Sequence, residues 1–164
     1  MTATLVGLIV GAYGVTQLIL RIPLGITVDI VRNHKLFIVI GTFLAGASSL
    51  GMIISPSPVV LFIANAMSGV ASSTWISFAV LYPVYYEKSE ATKAIGILNT
   101  FVNTGRLAAF MLGGILFERI GIRGLFIASF ASGIIGSILA LFIKREPEVA
   151  RVNISTGGLV RVMK

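Results

Sequence analysis

Few residues in this 164-residue chain can do covalent chemistry. Cysteine is absent, which excludes thiolate nucleophiles, thiolate metal sites and disulfides, and one histidine among six scattered acids offers neither metal-ligand spacing nor a paired-carboxylate centre. That histidine, His34, lies in a basic hairpin and reads as solvated. No catalytic residue, metal ligand or cofactor is expected, and an intramembrane enzyme has no support. What remains is a set of polar residues inside long apolar runs: two arginines, Arg21 and Arg106, and three asparagines, Asn65, Asn99 and Asn103. A guanidinium is a permanent cation with several donors, suited to an anionic group.

Those five polar groups sit in segments built for lipid. The chain is 56% hydrophobic and 12% charged, with a mean hydropathy of +0.98, whereas a soluble domain carries about 25% charged residues. The formal charge of +7 would suit nucleic acid only if the basic residues shared an exposed face. They fall instead in the breaks between apolar runs, as in a polytopic membrane protein. A hydrocarbon core about 30 Å thick takes about 20 apolar residues per helix. On that measure the sequence predicts an all-α membrane protein, a bundle of five transmembrane helices over about 5–28, 36–54, 59–81, 94–117 and 125–143. These form a domain, 1–145, followed by a polar tail, 146–164.

Residues 36 to 86 contain no Asp, Glu, Lys or Arg. Ser55-Pro56-Ser57-Pro58 divides that run into two spans, because proline lacks a backbone donor and turns its predecessor away from helix. Ser89 is a candidate N-cap for the fourth span, and residues 118–124 form a short turn before the fifth. Transmembrane strands would alternate in polarity, which these runs do not, and the first residues lack the basic region of a signal peptide.

Orientation follows from the Lys and Arg between spans. One side gathers nine, namely Arg32, Lys35, Lys88, Lys93, Lys144, Arg145, Arg151, Arg161 and Lys164, against Arg119 and Arg123 on the other. The first side is expected to be cytoplasmic in a multi-pass cell-membrane protein, with the N-terminus outside and the tail inside. An odd number of spans beginning at Thr2 points to an element preceding the chain. Asn153-Ile154-Ser155 then lies in the cytoplasm and is discounted as a glycosylation acceptor.

Helices in lipid associate where small residues let backbones approach. Three stripes have that spacing: Gly7 and Gly11, then Ala64, Ser68 and Ser72, then Gly105, Ala109 and Gly113. Beside the last, Asn99, Asn103 and Arg106 share one narrow arc of the helix at about 100° per residue. Arg106 is near mid-span, where a charge costs at least ~2.5 kcal/mol and snorkelling would have to cover ~15 Å. Its arc is expected to line an aqueous pathway, or else to pair with backbone carbonyls or a group outside the chain. Arg21 lies eight residues before Asp29 and can snorkel to the interface. Asn65 either shares the pathway or bonds a neighbouring helix. Trp75, Tyr82, Tyr85 and Tyr86 read as interfacial residues. The second, third and fifth spans hold no acid, so an intramembrane proton carrier would lie elsewhere.

Taken in order, these segments resemble the N-terminal half of a major facilitator superfamily transporter, over roughly residues 4–145 and from that half's second helix to its sixth. The family's first motif, Gly, three residues, Asp and a basic cluster, is matched by Gly25, Asp29 and Lys35, although Ile30 and Arg32 replace the usual arginine and glycine. The fifth-helix motif of spaced glycines is matched by Gly96, Gly105, Ala109, Gly113 and Gly114, with Ala109-Phe110 in place of Gly-Pro. The fourth-helix arginine is replaced by Asn65.

The resemblance implies secondary active transport of a small solute by alternating access between two halves. It places Arg106, Asn103, Asn99 and Asn65 on the solute path. Gly25, Asp29 and Lys35 become a cytoplasmic gate, and Gly96, Gly105, Ala109, Gly113 and Gly114 a helix-packing motif. Implied partners are the lipid bilayer, a solute that is anionic if Arg106 meets it, a coupling proton or ion, and the missing transporter half; nucleic acid is not among them. With the first family helix and the second half lacking, the sequence reads as a fragment. The alternative is a non-transporting assembly subunit or truncated remnant that keeps the bundle.

Overall fold

The computed structural model describes residues 2–31, 33–54 and 57–144. Helix α1 spans Ala3–Val31, α2 His34–Ile54, α3 Pro58–Ser73 and α4 Trp75–Val84; a single 3-10 turn, Lys88–Glu90, leads into α5, Ala91–Leu141. The tail predicted from 146 onward lies outside the described residues, as do Arg32 and Arg145 of the basic clusters.

Local chemistry sets several of these ends. Asn33 Oδ1 accepts the Leu36 N–H at 3.1 Å where α2 begins. Ser57 Oγ accepts the Val60 N–H at 3.4 Å, with Pro58 opening α3 at the one place where a missing donor costs nothing. Ser89 does not cap the following helix. The 3-10 turn carries the start of α5 past it, so Glu90 takes the N-cap position and pairs with Lys93 at 3.1 Å.

The expected third span is interrupted. Thr74 Oγ1 donates to the Ala71 carbonyl at 2.7 Å, and the Thr74 N–H reaches the same carbonyl at 3.2 Å. Three-residue bonds there displace the four-residue ladder and separate α3 from α4. Counting Pro58–Val84 as one unit, four helical stretches among the described residues are long and apolar enough to cross a membrane: Ala3–Val31, His34–Ile54, Pro58–Val84 and Lys88–Leu141.

The last stretch is too long for one crossing. The 51 residues of α5 would extend about 77 Å at 1.5 Å each, more than twice the ~30 Å hydrocarbon core. Its helix is broken at Gly121, with φ 66° and ψ −179°, inside the stretch expected to turn but confined to one residue. A side chain there meets no atom within 4 Å, so only the backbone opposes substitution. Gly121→Ala is expected to lower stability by about 1–3 kcal/mol, the cost of holding an L-residue in a positive-φ, extended-ψ region that only glycine enters freely. Gly114→Ala, also facing open space but in ordinary helix, should leave the thermal unfolding midpoint level or slightly raised.

Packing follows two small-residue seams. Along the first, α1 approaches α3 so closely that a Cβ on Gly69 would lie 3.0 Å from Thr16 Cβ and 3.2 Å from the Gln17 nitrogen. On the other side of α3, Ser68 Oγ donates to Ser48 Oγ at 2.8 Å and Ala64 meets Gly51. The second seam joins α2 to the end of α5 where Gly46 meets Gly133, flanked by Ser49–Ser129 and Thr42–Ser137 hydroxyl bonds of 2.7 and 3.1 Å. A small apolar core of Ile38, Leu81 and Ala140 lies where α2, α4 and α5 converge. Gly7 and Gly11 face open space.

Candidate functional site

Between α1 and the first half of α5 lies a cleft of about 640 Å³, floored by α2, α3 and α4. One wall is polar because of spacing on α1. Tyr13, Gln17 and Arg21 recur every four residues, so they share a face, and all three line the cleft. The Tyr13 hydroxyl and the Gln17 amide both donate to Ser72 Oγ at 2.8 Å, while Ser73 Oγ donates to the Gln17 carbonyl at 3.3 Å. These bonds pin that face of α1 to α3. The opposite wall is the α5 arc: Asn99, Asn103 and Arg106 line the same cleft, with Val102 between them. Trp75 and Phe78, stacked at 5.9 Å and 22°, add an aromatic surface to the floor.

The electrostatics are one-sided. Two guanidiniums line the cleft and no carboxylate does. Neither arginine has a hydrogen bond or ion pair to any described residue; the ion pair found among the described residues, Lys93–Glu90, lies outside the cleft lining. Hydroxyls of Thr42, Ser68, Ser72 and Thr74 also line the cleft, with no His, Asp or Glu in the lining beside them to act as general base. Among the described residues no group of His, Asp or Glu is placed to hold a metal ion.

The other expected positions fall elsewhere. Asn65 is half-buried on α3, and its amide donates back to the Leu61 carbonyl at 3.0 Å, away from the cleft lining. Gly25 is buried against α4, where an added Cβ would lie 3.1 Å from Ile76 Cδ1. Asp29 is exposed and makes no ion pair among the described residues. Lys35 Nζ donates to the Leu141 carbonyl at 2.7 Å, tying the start of α2 to the end of α5. A cation at that position satisfies a terminal carbonyl of the helix and opposes its dipole. Side chains added at Gly96, Gly105, Gly113 and Gly114 would meet nothing within 4 Å, and Ala109 is exposed. That stripe therefore has no packing partner among the described residues.

Comparison with known sequences decides the family. Residues 1–162 match the Major Facilitator Superfamily over nearly the whole chain. The chain belongs to that superfamily. Its members are transporters, not enzymes. Relatives include an uncharacterized transporter from Buchnera aphidicola, 29% identical over 139 residues, covering 85% of this chain and 35% of that protein. An uncharacterized MFS-type transporter from Methanocaldococcus jannaschii is 29% identical over 149 residues, covering 90% and 38%. A probable vesicular acetylcholine transporter from Danio rerio is 29% identical over 125 residues, covering 75% and 24%. The chain thus spans between 24% and 38% of the length of these curated relatives. In this facilitator chain the polar wall on α1 was not foreseen as a wall: Tyr13 and Gln17 were not expected as site residues, and Arg21, expected to snorkel to the interface, lines the cleft. Its signal was present, since three polar residues at intervals of four on one apolar helix must share a face.

Proposed function

We propose that this chain forms part of a secondary transporter that moves a small solute by alternating access, with Asn99, Asn103 and Arg106 on the solute path. The observation that carries the reading is their shared position on one wall of a cleft whose other wall is Tyr13, Gln17 and Arg21. A wet, polar cleft between apolar helices is what a solute pathway requires, and in the family the site lies near the midplane between two halves. The break at Gly121 supports reading 1–145 as five crossings, with residues 146–164 as a cytoplasmic tail. The bilayer covers the apolar faces, a coupling ion remains part of the reading, and the second half of the transporter closes the site.

The surplus of cationic residues between spans supports an N-out orientation in the cell membrane. On the cytoplasmic side, Gly25 lets α1 approach α4 while Lys35 holds the end of α5, an arrangement suited to a gate that moves as a unit with Asp29 at its edge. The charge of the cleft favours an anionic group on the solute. Acetylcholine, for which one relative is named, is a cation and has the wrong sign for these guanidiniums.

Accessibility tags test the crossings. A tag after Asp29 should be reached only from the cytoplasm and one after Gly121 only from outside. Labelling of both from one face would remove the five-crossing reading and the pathway with it.

A further inference from the structure

The solute path as proposed uses one arginine, yet the cleft holds two. Arg21 comes from α1 and Arg106 from α5, so the two cations enter from opposite walls of the same space. No Asp or Glu lines that space, and neither guanidinium is bonded to a described residue. The position of Arg21 is not left loose. One turn before it, Gln17 is fixed to Ser72 through its amide and to Ser73 through its carbonyl, and two turns before it Tyr13 joins the same serine. The polar face of α1 is thereby held toward the cleft.

Both arginines are exposed among the described residues. With no carboxylate in the lining, two cations give the cleft a positive field that favours an occupant able to compensate both. Each guanidinium matches a carboxylate or phosphate through paired N–H donors. A monoanion would neutralise one arginine and leave the other uncompensated. We propose, on the basis of the transport reading above, that Arg21 and Arg106 together hold a dianionic solute, either a dicarboxylate or a phosphate monoester. Tyr13 and Gln17 position Arg21, and Asn99 and Asn103 supply neutral hydrogen bonds beside Arg106.

The test is equilibrium binding to the complete transporter in nanodiscs, using succinate, glycerol 3-phosphate and lactate as probes. At least one dianion should bind at least ~10-fold more tightly than lactate, the scale of one added charge-assisted contact. Tighter binding of succinate identifies the dicarboxylate, and tighter binding of glycerol 3-phosphate identifies the phosphate. Arg21→Gln and Arg106→Gln should each erase the preference. Arg21→Lys keeps the charge and loses the paired donors; it should preserve the preference while weakening the favoured dianion by ~10-fold. Equal binding of all three probes, binding of none, or an Arg21→Gln protein that still prefers a dianion overturns the two-arginine site. The transport reading survives that result if the wild-type protein takes up a solute, and the place of Arg106 on the path fails separately if Arg106→Ala leaves that uptake untouched.

Discussion

Arg106→Ala in the complete transporter is expected to reduce solute uptake by at least ~100-fold, because removing two charge-assisted hydrogen bonds at about 1.5–3 kcal/mol each forfeits that much or more. Arg106→Lys should retain part of the activity, since it preserves the charge and loses the planar donor pair. Asn99→Ala and Asn103→Ala remove neutral bonds and should each cost about tenfold or less. The measurement is initial uptake in proteoliposomes against a metabolite panel, at matched protein and with the unfolding midpoint recorded for each variant. A competing account makes Arg106 the partner of an acid on another helix of the complete protein. That account predicts a different pattern: alanine strands a buried carboxylate, costing about 3–5 kcal/mol, so the unfolding midpoint falls together with uptake. Loss of uptake at unchanged stability assigns Arg106 to the solute. Unchanged uptake in both the Ala and Lys variants removes it from the path.

The reach of the sequence is clearest on α5. Asn99, Asn103 and Arg106 share an arc because helical period alone dictates it, and they do line one cleft wall. Arg21 shows the limit of the same reasoning. Its distance from Asp29 measures depth along α1 and allows snorkelling, but says nothing about which way the helix is turned. The turn is set by Ser72 on another helix, through bonds to Tyr13 and Gln17. The Thr74 break was similarly hidden, because a hydroxyl that bonds back to Ala71 leaves the hydropathy of the span unchanged. Lys35 was legible as part of a basic cluster, but its acceptor, the Leu141 carbonyl, is remote in the chain. Asn65 is the reverse case: its type made it a candidate, and a bond within its own helix occupies its amide.

Gly133→Ala is expected to destabilise the protein by about 2–4 kcal/mol, combining ~1–3 kcal/mol of overpacking with the loss of two interhelical bonds at about 0.6 kcal/mol each. A Cβ at Gly133 would fall upon the Gly46 backbone, 2.7 Å from its nitrogen. Backbone cannot rotate aside as a side chain can, so α2 and α5 must separate, stretching Ser49–Ser129 on one side and Thr42–Ser137 on the other. The reciprocal change is milder: a Cβ at Gly46 would stand 3.0 Å from Gly133 Cα and 3.2 Å from the Phe130 carbonyl oxygen. Gly46→Ala should therefore cost less than Gly133→Ala. Unfolding in mixed micelles measures both, and equal stability of Gly133→Ala and wild type would show that the seam is looser than its geometry requires. Motif reading favours Gly105 and Gly113 as packing positions, yet those glycines face open space among the described residues. The seam lies instead where one glycine on each helix is bracketed by hydroxyls. Alternating access rocks one half of such a transporter against the other as nearly rigid bodies. On the transport reading proposed above, rigidity of this part depends on α2 and the end of α5 moving together, which the glycine contact, its two hydroxyl bonds and the Lys35 tether enforce. Separating that pair should therefore slow transport as well as weaken the fold, although Gly133 is not among the residues lining the cleft.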